Sequence, residues 1–238
     1  MPPASRLQVL YEDNHLLVVV KAAGLPTQGV SADRVSLLTL AKQYIKRKHR
    51  KPGNVYLGVV SRLDTPVSGV VVLARTSKAA RRLNDQFRTH TVRKHYWAFV
   101  EGYADPPQGE CIDWVWHDER RRRMQVVTRG TPNALEAHLT YRRLKTVAGL
   151  SLLEVELRTG RKHQIRVQLA HRGWPIVGDR QYGSRLGFSV GIALHARRLV
   201  IVHPVKGDAL EFVAPVPGSW AALGVRETGG HPQDDGRE

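Results

Sequence analysis

The stretch VSRLDTPVSGVVVLA, residues 60–74, contains the two signals that decide the fold. Its first half includes Asp-Thr-Pro, a combination typical of turns, and predicts a turn at residues 62–68. Its second half is an apolar run at residues 69–74, typical of a strand. We therefore predict a strand that begins directly after a polar turn.

Further short strands are predicted on both sides of this stretch. Apolar runs and alternation with a period of two favour a hairpin near the amino terminus and strand pairs towards the carboxyl terminus. Helical spacing of apolar residues, with Ser36 and either Thr76 or Ser77 as N-caps, predicts few helices. The predicted strands are residues 7–11, 16–21, 55–60, 92–103, 135–144, 152–157, 193–202 and 210–213, with a turn at Ala148-Gly149. The predicted helices are residues 37 to about 52, 76–87 and 163–171.

The order of these elements indicates the fold class. Several strands follow one another without an intervening helix, which argues against repeated βαβ winding. We predict an α+β fold, a single mixed, largely antiparallel β-sheet flanked by a few helices and loops. We expect this domain to occupy residues 1–224 and residues 225–238 to form a disordered tail.

The charge of the chain predicts its class of partner. Among 238 residues there are 37 Lys and Arg against 21 Asp and Glu, a net charge of +16, and 42% are hydrophobic. The apolar content is sufficient for a core, which excludes disorder throughout. The cationic excess predicts a polyanion, and nucleic acid in particular. Two dense basic runs lie at residues 42–51 and 120–123, although either run alone would be a solvated face or a charged loop.

Several other classes are disfavoured. Cys111 is the single cysteine, which fits a reducing compartment and excludes a disulfide framework or a multi-cysteine zinc site. Apolar runs are too short to span a bilayer, and residues 1–10 lack a secretory signal, so we expect a cytoplasmic protein without a membrane partner. We find no glycine-rich nucleotide loop and no metal-ligand spacing, and expect neither a cofactor nor a metal.

Three motifs carry a family resemblance when they are taken together. They are residues 60–69, which contain Arg-Leu-Asp, residues 12–21, which form the opening strand, and residues 160–167, Gly-Arg-Lys-His-Gln-Ile-Arg-Val. Residues 178–183, 194–196 and 203–204 follow at matching spacing. The ordered set resembles the RluA-type family of RNA pseudouridine synthases, from about residue 7 to residue 217. The resemblance implies the family's catalytic fold and the isomerisation of specific uridines in structured RNA, either tRNA or ribosomal RNA, to pseudouridine.

The resemblance implies catalytic roles for three residues. Asp64 occupies the position of the family's catalytic carboxylate, a nucleophile or a base at the sugar of a flipped-out uridine. Arg166 is expected to pair with Asp64 and keep it ionised, and Tyr96 to lie against the uracil and take part in removing the C5 proton. From the residue pattern alone, Asp64 would be a turn residue, Arg166 an exposed helix residue and Tyr96 a packed strand residue.

The resemblance also implies residues that bind substrate or RNA. Arg62 is expected to contact phosphate or to fill the space left by the flipped uridine. Lys21 and His195 are expected to support the pocket, and Arg161 is placed among the RNA-binding residues. The two basic runs, independently of the resemblance, predict contacts with the RNA backbone for Lys46, Arg47, Lys48, Arg121 and Arg122.

Alternatives and departures from the family pattern remain. A non-catalytic RNA-binding or RNA-folding protein on the same fold is the second interpretation, and a small-molecule hydrolase is a third, disfavoured by the charge. Ser61 stands where His is frequent, Val67 where Thr is frequent, and Ala22-Ala23 replace Pro-Ala in a loop, which bears on substrate choice. The opening motif begins at about Tyr11, so we expect no amino-terminal S4-like module, and we expect a monomer.

Overall fold

The computed structural model describes residues 7–29 and 34–225. Within these ranges the chain forms eleven strands, three α-helices and two short 3-10 helices. The strands are β1 Gln8–Glu12, β2 Leu16–Lys21, β3 Gly58–Val59, β4 Ser68–Ala74, β5 Arg93–Glu101, β6 Gln108–Asp118, β7 Arg123–Val127, β8 Leu135–Val147, β9 Leu150–Leu157, β10 Leu194–Val202 and β11 Ala209–Val213. The helices are α1 Leu37–Lys48, α2 Ser77–Arg88 and α3 Gln164–His171, and the 3-10 helices are Arg180–Tyr182 and Gly218–Leu223.

These strands form one sheet. Its order is β1-β2-β4-β10-β5-β9-β8-β6-β7, with β3 paired to β4 and β11 paired to β10. The pairings are antiparallel except that of β4 with β10, where His195 lies opposite Ser68 and Ala196 opposite Gly69. A Cβ atom at Gly69, whose φ is +128°, would collide with the backbone of Ala196. The prediction of an α+β fold with a mixed, largely antiparallel sheet is confirmed.

The strand β4 lies inside the sheet, between β2 and β10, and all seven of its residues are buried. Its alternating side chains meet a helix on each face. Val71 and Leu73 belong to the core beneath α1, whereas Val70 and Val72 belong to the core beneath α2. This continuous apolar strand therefore fixes the position of the turn that precedes it, which carries Asp64.

The predicted helix starts are confirmed. The side chain of Ser36 accepts a hydrogen bond from the backbone N–H of Thr39, and Thr76 does the same for Ala79. The predicted turn at Ala148-Gly149 is also present, with both residues at positive φ. The predicted strand at residues 55–60 is reduced to β3, since only two of its residues pair with β4.

The sequence patterns did not predict β6 and β7. On β6, Cys111 and Val115 are buried, but the intervening Ile112 and Trp114 are equally apolar and lie on the partly exposed face. The alternation of polar and apolar residues that reveals a half-buried strand is therefore hidden. The basic run at residues 120–123 spans the turn between these strands and the first residue of β7.

At the carboxyl end, the core extends into the segment predicted as a tail. Val225 is buried and belongs to the same apolar cluster as Trp220. Residues 226–238 of the predicted tail lie outside the described residues. Within the described ranges, none of the helices combines the length and apolar character needed to cross a bilayer.

Candidate active site

A cavity of about 950 Å³ opens beside α2, at the end of the sheet where β4 begins. Three segments form most of its wall. They are residues 59–66 ahead of β4, the β5 side chains Lys94 and Tyr96, and residues 160–163 with Arg166 at the start of α3. These segments belong to the motifs at residues 60–69 and 160–167 and to the strand between them, so folding brings distant parts of the sequence into one site.

The Asp64 carboxylate lies in the wall of this cavity. Its side chain is 29% exposed, and Oδ2 accepts a hydrogen bond from Nη1 of Arg166 at 2.9 Å. Nε2 of His163 lies 3.7 Å from the same oxygen. Oδ1 accepts no hydrogen bond from any residue that the structure describes. One oxygen is thus oriented by the protein, and the other is available to a ligand.

Arg166 is held by more than Asp64. It is 4% exposed, and it donates from Nε and Nη2 to the two carboxylate oxygens of Asp179 at 2.6 and 3.0 Å. Nη2 also donates to Oε1 of Gln181 at 2.8 Å. Burial opposes its charged form, but the hydrogen bonds to Asp179 and Asp64 outweigh burial and raise the pKa of Arg166. The two-pronged pairing with Asp179 fixes the plane of the guanidinium that faces Asp64.

A second chain of hydrogen bonds reaches Asp64 through His163. The backbone N–H of Met124 on β7 donates to the hydroxyl oxygen of Tyr182 at 3.0 Å, and that hydroxyl lies 2.8 Å from Nδ1 of His163. Burial lowers the pKa of His163, so its ring is neutral at neutral pH. His163 has a left-handed φ of 52°, which turns its ring towards Asp64 just before α3 begins.

Tyr96 lines a recess in the cavity wall. The recess has a volume of about 80 Å³ and lies between Asp64, Tyr96 and Arg166. Leu157 and Leu194 contribute apolar surface to it. Burial, together with the charge of Asp64, raises the pKa of Tyr96, so its phenol is neutral. A recess with an aromatic ring on one side and a carboxylate on another suits a planar, polar ring such as a base.

Lys21 and His195 do not line the cavity. Both are fully buried, so neither side chain is exposed to the cavity, and their expected role in supporting the pocket stays a prediction. Nζ of Lys21 donates to the carbonyl oxygens of Ala22, Leu25 and Thr65, and burial lowers the pKa of Lys21 to about 7. Nδ1 of His195 lies 2.8 Å from Oγ of Ser68, and burial lowers the pKa of His195 to about 4. Lys21 and His195 are thus hydrogen-bonded to Thr65 and Ser68, both of which follow Asp64 in the chain.

Two of the predicted RNA contacts, Arg62 and Arg161, line the cavity. The side chain of Arg62 is exposed, and no hydrogen bond or ion pair ties it to another part of the described chain. Arg161 donates from Nε to the carbonyl oxygen of Glu136. Arg121 and Arg122 lie in the turn between β6 and β7. This turn touches the site, because Nε2 of Gln181 donates to the carbonyl oxygen of Arg122 at 3.2 Å.

The remaining predicted RNA contacts are not brought to the cavity. Lys46, Arg47 and Lys48 occupy the last turn of α1, which packs on the opposite face of the sheet from α2. The ammonium group of Lys48 pairs with Glu12 at 2.7 Å. These cations therefore lie far from the Asp64 turn, near the other end of β4.

Four residues around Asp64 were not predicted as site residues: His163, Asp179, Gln181 and Tyr182. All four lie inside motifs that carried the resemblance, which was the only available signal. Their pairing with Arg166 and Asp64 depends on how the segment after α3 folds back, and sequence spacing does not reveal that path.

The comparison with known proteins now identifies the family. Residues 15–171 match the family model described as RNA pseudouridylate synthase. The chain belongs to this family. The predicted RluA-type resemblance is confirmed. The match includes Asp64, Tyr96 and Arg166 and ends before Asp179.

Individual relatives agree with this assignment. A protein of Chloroflexus aurantiacus described as an uncharacterized RNA pseudouridine synthase is 47% identical over 170 residues, 69% of this chain and 52% of the relative. The ribosomal large subunit pseudouridine synthase D of Nitrosomonas europaea is 35% identical over 91% of this chain and 64% of its own length. The chain thus spans about half to two thirds of these curated relatives. Among solved structures, human RNA pseudouridylate synthase domain containing 4 superposes with a TM-score of 0.76 at 26% identity, covering 92% of this chain and 94% of the human one.

Proposed function

We propose that this chain is an RNA pseudouridine synthase that isomerises uridines in structured RNA and uses Asp64 as the catalytic carboxylate. The observation that carries the proposal is the arrangement of this carboxylate. Arg166 holds Oδ2 at 2.9 Å, while Oδ1 accepts no hydrogen bond from the described residues, and the Asp64 side chain lines the cavity. Family membership gives this arrangement its chemical meaning.

The reaction requires one positioned carboxylate. The N1–C1′ bond of uridine breaks, the uracil turns while it stays bound, and a C5–C1′ bond forms. The proton on C5 leaves and N1 gains a proton, so the product is an isomer and no electrons are exchanged with a cofactor. Attack at the sugar carbon and removal of a sugar proton are both open to Asp64, and both begin with a negatively charged oxygen aimed at the sugar.

Tyr96 and the recess bind the uracil while it rotates. A neutral phenol can stack on the ring throughout the rotation and does not repel the charge of Asp64. Its raised pKa opposes early loss of the phenolic proton. We therefore assign Tyr96 first to binding the detached ring, with its hydroxyl contributing to C5 deprotonation only after that ring has turned.

We propose ribosomal RNA as the first substrate class to examine, and tRNA as the second. The relative from Nitrosomonas europaea is named for the large ribosomal subunit. The positive charge of the chain and the cations around the cavity support an RNA substrate. We further propose that the chain acts in the cytoplasm as a monomer.

The main alternative is a non-catalytic RNA-binding or RNA-folding protein. Such a protein gains nothing from a carboxylate that faces RNA, because its charge repels phosphate. The described structure nevertheless holds Asp64 in the cavity wall with Arg166 and leaves one oxygen without a hydrogen bond from the described residues. This arrangement favours the enzyme.

The proposal is tested by tritium release from RNA labelled at C5 of uridine. Ribosomal RNA and tRNA transcripts would be incubated with the wild type, with Asp64→Asn and with Asp85→Asn, a control at an exposed aspartate on α2. We expect release by the wild type and by Asp85→Asn only, and the transcript that responds identifies the substrate class. Binding of RNA without release from any transcript would contradict the proposal and favour the alternative.

A further inference from the structure

The cavity has more cations than its catalytic carboxylate requires. Asp64 is the single acidic residue among the described residues that line it. Such an excess suits a ligand that brings negative charge of its own. The cations in the lining are Arg62, Arg88, Lys94, Arg161, Lys162, Arg166 and Arg198.

Lys94 differs from the other cations because it is half-buried and poorly paired. Arg88 and Arg198 have carboxylate partners, and Arg166 has two. Nζ of Lys94 has one long hydrogen bond, 3.4 Å to the carbonyl oxygen of Thr159. An ammonium group has three N–H donors, and taking it out of water is costly when they lack acceptors. Burial accordingly lowers the pKa of Lys94.

The position of Lys94 relative to the recess indicates which ligand could accept the hydrogen bonds of its ammonium group. Lys94 and Tyr96 lie on the same face of β5, two residues and therefore about 7 Å apart. Tyr96 and Arg161 line both the cavity and the recess, whereas Lys94 lines only the cavity. The ammonium group therefore lies just outside the recess, next to the ring that would hold the uracil.

The backbone beneath Lys94 leaves room for a ligand. Gly160 is exposed, and a Cβ atom there would lie 3.6 Å from Nζ of Lys94. No side chain therefore stands between the ammonium group and the open part of the cavity on that side.

We propose that Lys94 is the binding residue for a phosphate adjacent to the flipped uridine, within the cavity and next to Tyr96. The inference rests on the proposed function, because the uridine in the recess determines which phosphate reaches Lys94. The chemistry is a charge-assisted hydrogen bond between an ammonium group and a phosphodiester oxygen. Partial burial in the cavity wall distinguishes Lys94 from the exposed cations, whose contacts with RNA would be open to solvent.

The first test measures RNA affinity over a range of salt concentrations and does not depend on turnover. It compares the wild type, Lys94→Met and Lys94→Arg on the transcript that binds most tightly. We expect Lys94→Met to weaken binding about tenfold and to reduce the log–log salt slope by about 0.7, the contribution of one phosphate on a single strand. Lys94→Arg should retain most of the affinity. An unchanged slope in a folded Lys94→Met protein would overturn the proposal, and Lys94→Gln replaces that variant if its melting temperature falls.

The second test locates the phosphate on the RNA. Short RNAs containing the modified uridine would carry a neutral methylphosphonate at the linkage on either side of it. At one linkage, we expect the neutral group to weaken RNA binding by the wild type about tenfold. The same group should not weaken binding further in Lys94→Met, which lacks the ammonium group. It should keep its full effect in the control Lys162→Met, which changes an exposed lysine of the cavity. An equal penalty in the wild type and Lys94→Met would overturn the proposal. Failure of the proposed function would appear separately, as RNA binding without tritium release.

Discussion

Two carboxylates in this protein are surrounded by similar residues but accept different numbers of hydrogen bonds. Glu12, at the end of β1, is close to Tyr44, Lys48, His49 and Arg75. Asp64, ahead of β4, is close to Tyr96, His163 and Arg166. Both clusters therefore contain a tyrosine, a histidine and an arginine, but only Asp64 lies in the wall of a large cavity.

The carboxylates of Glu12 and Asp64 differ in how many hydrogen bonds their oxygens accept. Glu12 is 8% exposed, and both of its oxygens accept two hydrogen bonds. The donors are Tyr44 and Lys48 on Oε2 and His49 and Arg75 on Oε1, at 2.6–2.9 Å. Asp64 receives one hydrogen bond from the described residues, on Oδ2. Clusters with the same residue types therefore leave one carboxylate with both oxygens occupied and the other with an oxygen available to a ligand.

The largest expected effect is that of Asp64→Asn. This change keeps the shape of the side chain and removes its negative charge, so we expect product formation to fall at least about 10³-fold. RNA binding should be retained, since Arg62 and the other cations are unaffected. Chemical mapping of pseudouridine in the reacted RNA, together with filter binding, checks both statements. Undiminished product would remove Asp64 from the mechanism.

Asp179→Asn is expected to have the next largest effect. It removes one charge from the pair that fixes the guanidinium of Arg166, so the group facing Asp64 loses its defined orientation. We expect a fall of about 10²-fold in the single-turnover rate with RNA affinity nearly unchanged. Because Asp179 is 2% exposed, the melting temperature should fall as well. A rate equal to that of the wild type below the melting transition would show that this orientation is unimportant.

Changes at Tyr96 separate the aromatic ring from the hydroxyl. Tyr96→Leu removes the stacking surface, and we expect the affinity for the modified RNA to fall about tenfold. Tyr96→Phe should keep that affinity and slow only the release of tritium from C5. Equilibrium binding and single-turnover release, measured on the same RNA, distinguish the two effects. Equal losses of affinity in both variants would place the hydroxyl, and not the ring, in the binding step.

Glu12→Gln is expected to affect stability and not catalysis. Burial opposes the charge of Glu12, but hydrogen bonds from Lys48, His49 and Tyr44 outweigh it and lower the pKa of Glu12 from 4.5 to about 2. A lowered pKa stabilises the folded state above pH 4.5, and this contribution is lost as the pH falls towards 2. Because the partners Lys48 and His49 are 51% and 37% exposed, solvent screens these pairs, and we expect Glu12→Gln to lower the free energy of unfolding by about 1 kcal/mol at neutral pH.

Unfolding by urea at pH 7 and pH 3 tests this expectation. The difference in stability between the wild type and Glu12→Gln should shrink at the lower pH. A difference that does not change with pH would mean that the ion pairs around Glu12 contribute little to stability.

The resemblance predicted the pairing of Asp64 with Arg166, 102 residues apart in sequence, which the structure shows as a hydrogen bond. It did not predict Asp179 or Tyr182 as partners, because their positions depend on a turn after α3 that no periodicity reveals. Composition predicted cationic surfaces but could not distinguish the end of α1, held in part by Glu12, from the β6–β7 turn beside the cavity.

The fold shows a similar division between strong and weak local signals. β4 is a continuous apolar run and α2 has a clear N-cap, so both were predictable from residues close in sequence. β6 has apolar residues on both faces, and its pairing with β8 joins distant segments, so local patterns could not identify it. The recess was equally unpredictable, since it exists only where β5, β10 and the start of α3 meet the Asp64 turn.

The most direct test of the central claim compares the two carboxylates in one assay. Single-turnover tritium release from C5-labelled RNA would be measured for the wild type, Asp64→Asn and Glu12→Gln, with circular dichroism confirming that each is folded. We expect release at the wild-type rate by Glu12→Gln and none above background by Asp64→Asn. Release by Asp64→Asn at the wild-type rate would contradict the claim that the unoccupied oxygen of Asp64 drives the reaction.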